Sequence, residues 1–231
     1  MSDEIKKTVL NTLAEPIANS AKNITDKPTQ NIGTTLADIW YLVFGGISQI
    51  AEKRKLRIAY SLKKMEEELK DDISKISQDK ITEPDIQIIA QALEASKYCI
   101  EKDKLRHMFV KLISKSLNIE TTPYVHPSFI DIISQLSSYD ATILTYIHQY
   151  NINSKLNITI NSDELLFTLS SLEHQGLIHA SIEQSSVTLT INKDFISMNE
   201  ITNSDIITKI ACVTLTKLGE IFCNVCLSDN N

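Results

Sequence analysis

The chain has 231 residues, 42% of them apolar and 23% charged, with five Gly, five Pro and four Cys. This composition excludes general disorder and a disulfide scaffold, and the length suits one large domain or two small ones with their own cores. The formal net charge of −6 removes a bulk basic footprint for nucleic acid; residues 128–231, with four Lys, no Arg and eleven acids, carry −7, against +1 for residues 1–127.

The opening stretch MSDEIKKTVLNTLAEP lacks the apolar run of a secretory leader. With so few cysteines, the chain reads as cytoplasmic with reduced thiols. Val9, Leu10, Leu13 and Ile17 suggest a short helix near residues 4–22, followed by a linker ending at Pro28. Residues 31–80 read as helix, bent at Gly45-Gly46. Within them Ile39 to Ala51 is uncharged, but its 13 residues fall short of the roughly 20 that cross a bilayer. A buried helix is the simpler reading, and a membrane-touching one the competitor.

Ile58, Leu62, Met65, Leu69, Ile73 and Ile76 recur at helical spacing and define one buried face. The charges on this helix are segregated. Lys53, Arg54, Lys55, Arg57, Lys63 and Lys64 come first, then Glu66, Glu67, Glu68, Asp71 and Asp72. Acids near a helix C-terminus oppose the macrodipole, so local stability does not explain the order. An antiparallel second copy would explain it by setting base against acid. The expected dimer surface joins Lys63, Lys64, Glu67 and Glu68 to the apolar residues Trp40, Val43 and Phe44. The counter-reading is that the C-terminal wing or the basic helix 104–115 covers this surface within one chain.

Thr82-Glu83-Pro84-Asp85 predicts a helix start with Thr82 as cap and Asp85 at the capping-box position. Ile86, Ile89, Ala90, Leu93 and Ile100 mark its inner face. A helix over 103–117 buries Leu105, Met108, Phe109, Leu112, Ile113, Ser116 and Leu117. Its opposite face carries Lys104, His107, Lys111 and Lys115 with no acid among them, a candidate surface for an anionic partner. The alternatives are plain solvent surface and docking against the acidic C-terminal half. Thr121-Thr122-Pro123 breaks this helix, and helices follow over 127–136 and 138–150, the second capped by Ser137 or Ser138.

After residue 150 the pattern changes. Residues 151–157 read as a loop or short strand, and Ser162-Asp163-Glu164 opens a helix that Gly176 ends. Leu177 to Ile182 and the alternating Val187, Leu189 and Ile191 predict a hairpin. Ile206 to Leu215 reads as strand or short helix, and 216–227 as a last helix with Leu218, Ile221, Phe222 and Val225 inward. This order is winged-helix-like. The segment in the place of a recognition helix, SDELLFTLSSLEHQ, has three acids and no Lys or Arg, which argues against DNA.

Chemical motifs are sparse. Cys223-x-x-Cys226 lacks two further ligands at zinc spacing and sits near a helix C-terminus, where the dipole does not activate a thiol. None of the five His forms a metal motif, and no phosphate-cradling glycine loop occurs. His126 lacks an orienting acid and reads as a residue at a helix entry. The chain is expected to be non-enzymatic, with no catalytic residue, cofactor or metal.

Several segments go beyond generic patterning: Glu83-Pro84 with IIAQALEAS (88–96), LRHMFVKLISKSL (105–117) and above all YVHPSFIDIISQLSSYDATIL (124–144). Together they resemble the Abi-alpha family of bacterial abortive-infection proteins, over roughly residues 28–227. His126, Pro127 and Phe129 match its motif. The resemblance implies phage defence and supplies no catalytic residue. The expectation is a mainly α protein: an N-terminal helix and linker (1–30), a helical domain (31–122), and a winged-helix-like α+β module (123–231), the split lying near 118–127. It would act in the cytoplasm through contacts with a phage or host protein, as a homo-oligomer. A nucleic-acid-binding regulator and a membrane-associated immunity or killing factor are the competing classes.

Overall fold

The computed structural model describes residues 27–44, 52–83, 85–150, 156–160, 162–187 and 206–228. The helix expected near 4–22 lies outside them. Eight α-helices occur among the described residues, with a small three-stranded antiparallel sheet towards the C-terminus. The first helix, α1 (Lys27–Phe44), takes up Pro28 in its first turn, where the missing N–H costs nothing, so the expected linker is shorter than drawn. There follow α2 (Glu52–Ser74), α3 (Ile86–Ser96), α4 (Asp103–Ser116), α5 (Ser128–Gln135) and α6 (Ser138–Tyr150). Then come β1 (Leu156–Ile160), α7 (Asp163–His174), β2 (Ile178–Val187), β3 (Ile206–Leu215) and α8 (Lys217–Cys226).

The chain divides into two compact units. The first runs to Ala141 and takes back the chain from Ile221; the second is Thr142–Glu220. The boundary near 118–127 falls inside the first.

In the first unit α4 is central, with α2, α3 and α5 all packed against it, while α1 packs on α3. Ile58, Leu62, Met65, Leu69 and Ile76 of the predicted α2 face and its extension are buried. The α3 stripe is shifted from its expected place: Ile88, Ile89, Ala92 and Leu93 are buried, and Ile86 is exposed. Its cap is Asp85, whose carboxylate accepts from the Gln87 N–H at 2.9 Å and the Ile88 N–H at 3.3 Å. Thr82 instead donates its N–H to the Leu117 carbonyl at 3.0 Å, tying the α3 entry to the α4 exit. Asp85 directly precedes the first helical residue, Ile86, the position from which a side chain reaches the second and third amides of the helix. The Thr121 and Thr122 hydroxyls donate to the Lys115 and Ser116 carbonyls at 2.6 and 3.1 Å, satisfying the end of α4.

In the second unit the strand order is β1-β3-β2, all antiparallel. β1 pairs with β3 in the register Leu156↔Val213 to Ile160↔Lys209, and β2 with β3 from Ile178↔Leu215 to Val187↔Ile206. The hairpin expected between residues 182 and 187 is therefore replaced by one ten-residue strand. Glu183-Gln184-Ser185-Ser186 contains no Gly, Pro or Asn to turn the chain, and continuous pairing with β3 holds it extended. Leu189 and Ile191 lie outside the described residues.

The helix α7 starts at Ser162, whose hydroxyl accepts from the Leu165 N–H at 3.2 Å, and buries Leu165, Leu169 and Leu172 as its spacing predicts. It ends in a Schellman motif: the Leu177 N–H reaches the Leu172 carbonyl at 3.0 Å and the Gly176 N–H the Glu173 carbonyl at 2.8 Å. Gly176 supplies the left-handed backbone this needs, at φ +73°.

Candidate functional site

The basic residues of α4 do not form an open face. From Leu105 to Leu117 every residue except His107 is buried. Lys104 and His107 stay exposed, whereas Lys111 is 1% and Lys115 7% exposed, so the four cannot together receive an external anion. The physical reason is that α4 has neighbours on several sides, and α2 brings acids to its basic side. Lys111 Nζ lies 2.9 and 2.8 Å from the two Asp72 oxygens, and Lys75 reaches Asp72 Oδ1 at 3.3 Å. Arg106, also buried, donates to Glu68 Oε1 at 3.0 Å, to Asp103 Oδ1 at 2.6 Å and to the Ile100 carbonyl at 3.1 Å. His107 Nδ1 lies 4.0 Å from Glu68 Oε2.

These contacts form a register. Lys64 meets Asp103 at 3.2 Å, Glu68 meets Arg106, and Asp72 meets Lys111, at separations of 39, 38 and 39 residues. A constant separation means that α2 and α4 run parallel, with α3 as the return between them. α2 reads basic then acidic; α4 reads Asp103, then Arg106 and Lys111. The segregated charge of α2 is thus matched inside the chain by a parallel helix of the opposite order. Burial works against the charge on Arg106, but Glu68 and Asp103 outweigh it and raise its pKa. Arg106 and Lys64 in turn hold the Asp103 carboxyl below its ordinary range.

The expected dimer surface changes accordingly. Glu68 and Lys64 are engaged with α4, and exposed Lys63 and Glu67 sit 3.9 Å apart, one turn along α2. Trp40, Val43 and Phe44 are buried in the first unit at 2, 7 and 2% exposure, so they offer no affinity to a second copy. They form instead the inward stripe of α1 with Leu36 and Ile39.

The two motif segments of residues 124–144 are helix starts. His126 Nδ1 accepts from the Ser128 N–H at 3.1 Å and lies 2.7 Å from Ser128 Oγ, closing the entry to α5. Phe129, one residue on, is buried edge-on against Phe222 of α8 at a ring separation of 5.3 Å. Ser137 and Asp140 form a reciprocal box: the Ser137 N–H donates to Asp140 Oδ2 at 2.8 Å, and the Asp140 N–H to Ser137 Oγ at 3.0 Å. Both segments fix how a helix begins and what it packs on.

Cys223 and Cys226 are buried on α8. Burial pushes the Cys223 thiol up to about 12 and Cys226 well above the ordinary thiol value, and does the same to Cys99, at about 11. They are apolar packing groups. With a thiol-specific dye at neutral pH these three should react only on unfolding, while half-buried Cys212 reacts first. Rapid native labelling of Cys223 would contradict this burial. Among the described residues no group of three or more His, Cys, Asp or Glu could hold a metal ion.

Arg106 and Asp103 escaped the sequence reading, which named Asp72 but not its pairing with Lys111. The available signal was the spacing itself: acids four apart on α2 and cations five apart on α4 mate when the helices are parallel. No curated protein and no solved structure matches the chain. Residues 57–226, from the described face of α2 through the capped helix starts to the end of α8, match the abortive infection alpha family, and the chain belongs to that family.

Proposed function

We propose that this protein serves abortive-infection defence against phage non-enzymatically, by contact with a phage or host protein, in the cytoplasm. The observation that carries the reading is the use made of the most specific motif residues. His126, Ser128, Ser137 and Asp140 are engaged in starting helices, and Phe129 in packing one, so they support a scaffold presenting surfaces. Among the described residues no helix is long and apolar enough to cross a membrane. Ile39, Trp40, Val43 and Phe44 of the apolar run are core, which argues against that run as a membrane anchor; residues 45–51 lie outside the described residues.

The second unit supports a winged-helix-like reading through its order β1-α7-β2-β3 and sheet order β1-β3-β2. One helix, rather than a helix-turn-helix pair, stands between β1 and β2. DNA is not its expected partner. On α7 the exposed residues include Asp163, Glu164, Glu173 and Phe167, with no Lys or Arg to displace counterions.

Expression in a phage-sensitive bacterium should lower phage yield, and affinity capture during infection should recover a protein partner. The full chain should not shift duplex DNA at concentrations below about 1 μM, where specific binders act. Sub-micromolar, salt-sensitive binding would overturn the protein-contact reading in favour of a nucleic-acid regulator.

A further inference from the structure

An edge strand exposes unpaired N–H and C=O groups, and folded proteins guard such edges with charges, proline, bulges or a covering side chain. The sheet of the second unit has two edges, β1 and β2. The β2 edge has a guard: the Ala180 N–H donates to Glu173 Oε1 at 3.0 Å. That contact also fixes the direction of every backbone group in the register. The Ala180 N–H points away from β3, so Ala180 and Val213 face each other as a pair without mutual hydrogen bonds. Val213 must then direct its groups at β1, where it opposes Leu156. Leu156, Ile158 and Ile160 therefore bond to β3, and Asn157 and Thr159 point their N–H and C=O groups outward.

Among the described residues nothing bonds to those outward groups. The strand Leu-Asn-Ile-Thr-Ile has no charge, no proline and no bulge, although the chain as a whole carries −6. It is rich in residues that favour extended backbone. Five residues with outward groups at the second and fourth positions are also self-complementary. Two copies placed antiparallel about a two-fold axis at Ile158 set Asn157 opposite Thr159 twice, which uses all four donors and acceptors on each edge. Ile158 meets its own copy and Leu156 meets Ile160, so the apolar and polar faces of the sheet both continue across the axis.

We infer that the protein self-associates through β1, pairing edge to edge with a second copy to make one six-stranded antiparallel sheet. The helix α7 packs on β2 and also touches β1. This site differs from the charge-ordered α2 surface, and so does its signature: pairing of an uncharged strand is insensitive to salt. A five-residue edge is smaller than a standard interface of about 1,600 Å², so association belongs in the micromolar range.

Sedimentation of the full chain over roughly 10–300 μM tests this, a span suited to a sub-standard interface. The wild type should move from 26.0 kDa towards twice that mass, equally at low and physiological salt. The double variant N157K/T159K opposes lysine to lysine across the axis and should weaken association by about tenfold or more. The variant N157K/T159E opposes lysine to glutamate and should restore it. Unchanged Trp40 fluorescence and circular dichroism in both variants separate loss of pairing from loss of fold. A wild type monomeric throughout, or N157K/T159K associating as well as wild type, would overturn the proposal and leave the edge to a strand from a different protein.

Discussion

Replacing Asp72 with alanine should lower the stability of the first unit by about 3–5 kcal/mol, the cost of stranding one member of a buried ion pair. Lys111, 1% exposed, would lose the carboxylate that lies 2.8 Å from its Nζ. Lys111→Ala should fall at the lower end of that range, because Lys75 remains 3.3 Å from Asp72 and is itself partly exposed. Exchanging both residues for apolar ones, as in D72L/K111M, should cost far less than the sum of the single changes. The measurement is convenient: Trp40 is the chain's one tryptophan and is buried in the first unit, so its fluorescence during urea unfolding reports that unit alone. Additive losses, or a cost below about 1 kcal/mol for Asp72→Ala, would mean that the pair is solvated and contributes as little as a surface bridge.

The second large effect belongs to Gly219. A Cβ built there would lie 1.9 Å from the Leu177 carbonyl oxygen and 2.9 Å from its carbon, both backbone atoms. The same carbonyl accepts the Thr216 N–H at 3.0 Å, and Thr216 Oγ1 accepts from the Gly219 N–H at 2.9 Å, so the start of α8 is clamped onto this turn. Gly219→Ala must push the helix off Leu177 and break that clamp, at a cost of about 1–3 kcal/mol or more. Gly176→Ala gives the contrast. Its Cβ would meet only Leu218 at 3.7 Å, an ordinary contact, so the cost is that of a left-handed alanine, about 1–2 kcal/mol. Hydrogen exchange at the Thr216 amide should rise in Gly219→Ala and change less in Gly176→Ala. Equal protection in Gly219→Ala and wild type would refute the close approach.

What the sequence made legible was local. The stripes of α2, α4 and α7 follow from a 3.6-residue period, and the last-turn Gly176 from the need for positive φ. What stayed hidden was the choice of neighbour. Lys111 reads the same whether it faces water or Asp72, since the two residues lie 39 apart and meet only because α3 brings the chain back. On α8 Phe222 and Val225 are buried as expected, but Leu218, also expected inward, is 39% exposed, because the Leu177 turn holds the first turn of the helix by its backbone. The β1 edge was the least visible, since only the β3 register decides which backbone groups of a strand are left over.

The edge-on contact of Phe129 with Phe222 has a consequence for how the chain matures. Half of that contact sits in the segment that rejoins the first unit after Glu220. During synthesis, which tends to fold units in order from the N-terminus, α1 to α5 can gather but cannot complete their packing. Phe129 stays uncovered until residues beyond 222 emerge, and the whole second unit is made in the interval. A ribosome stalled after the second unit would therefore hold a first unit with an open apolar seat, a substrate for chaperones. Release of the last helix would close it.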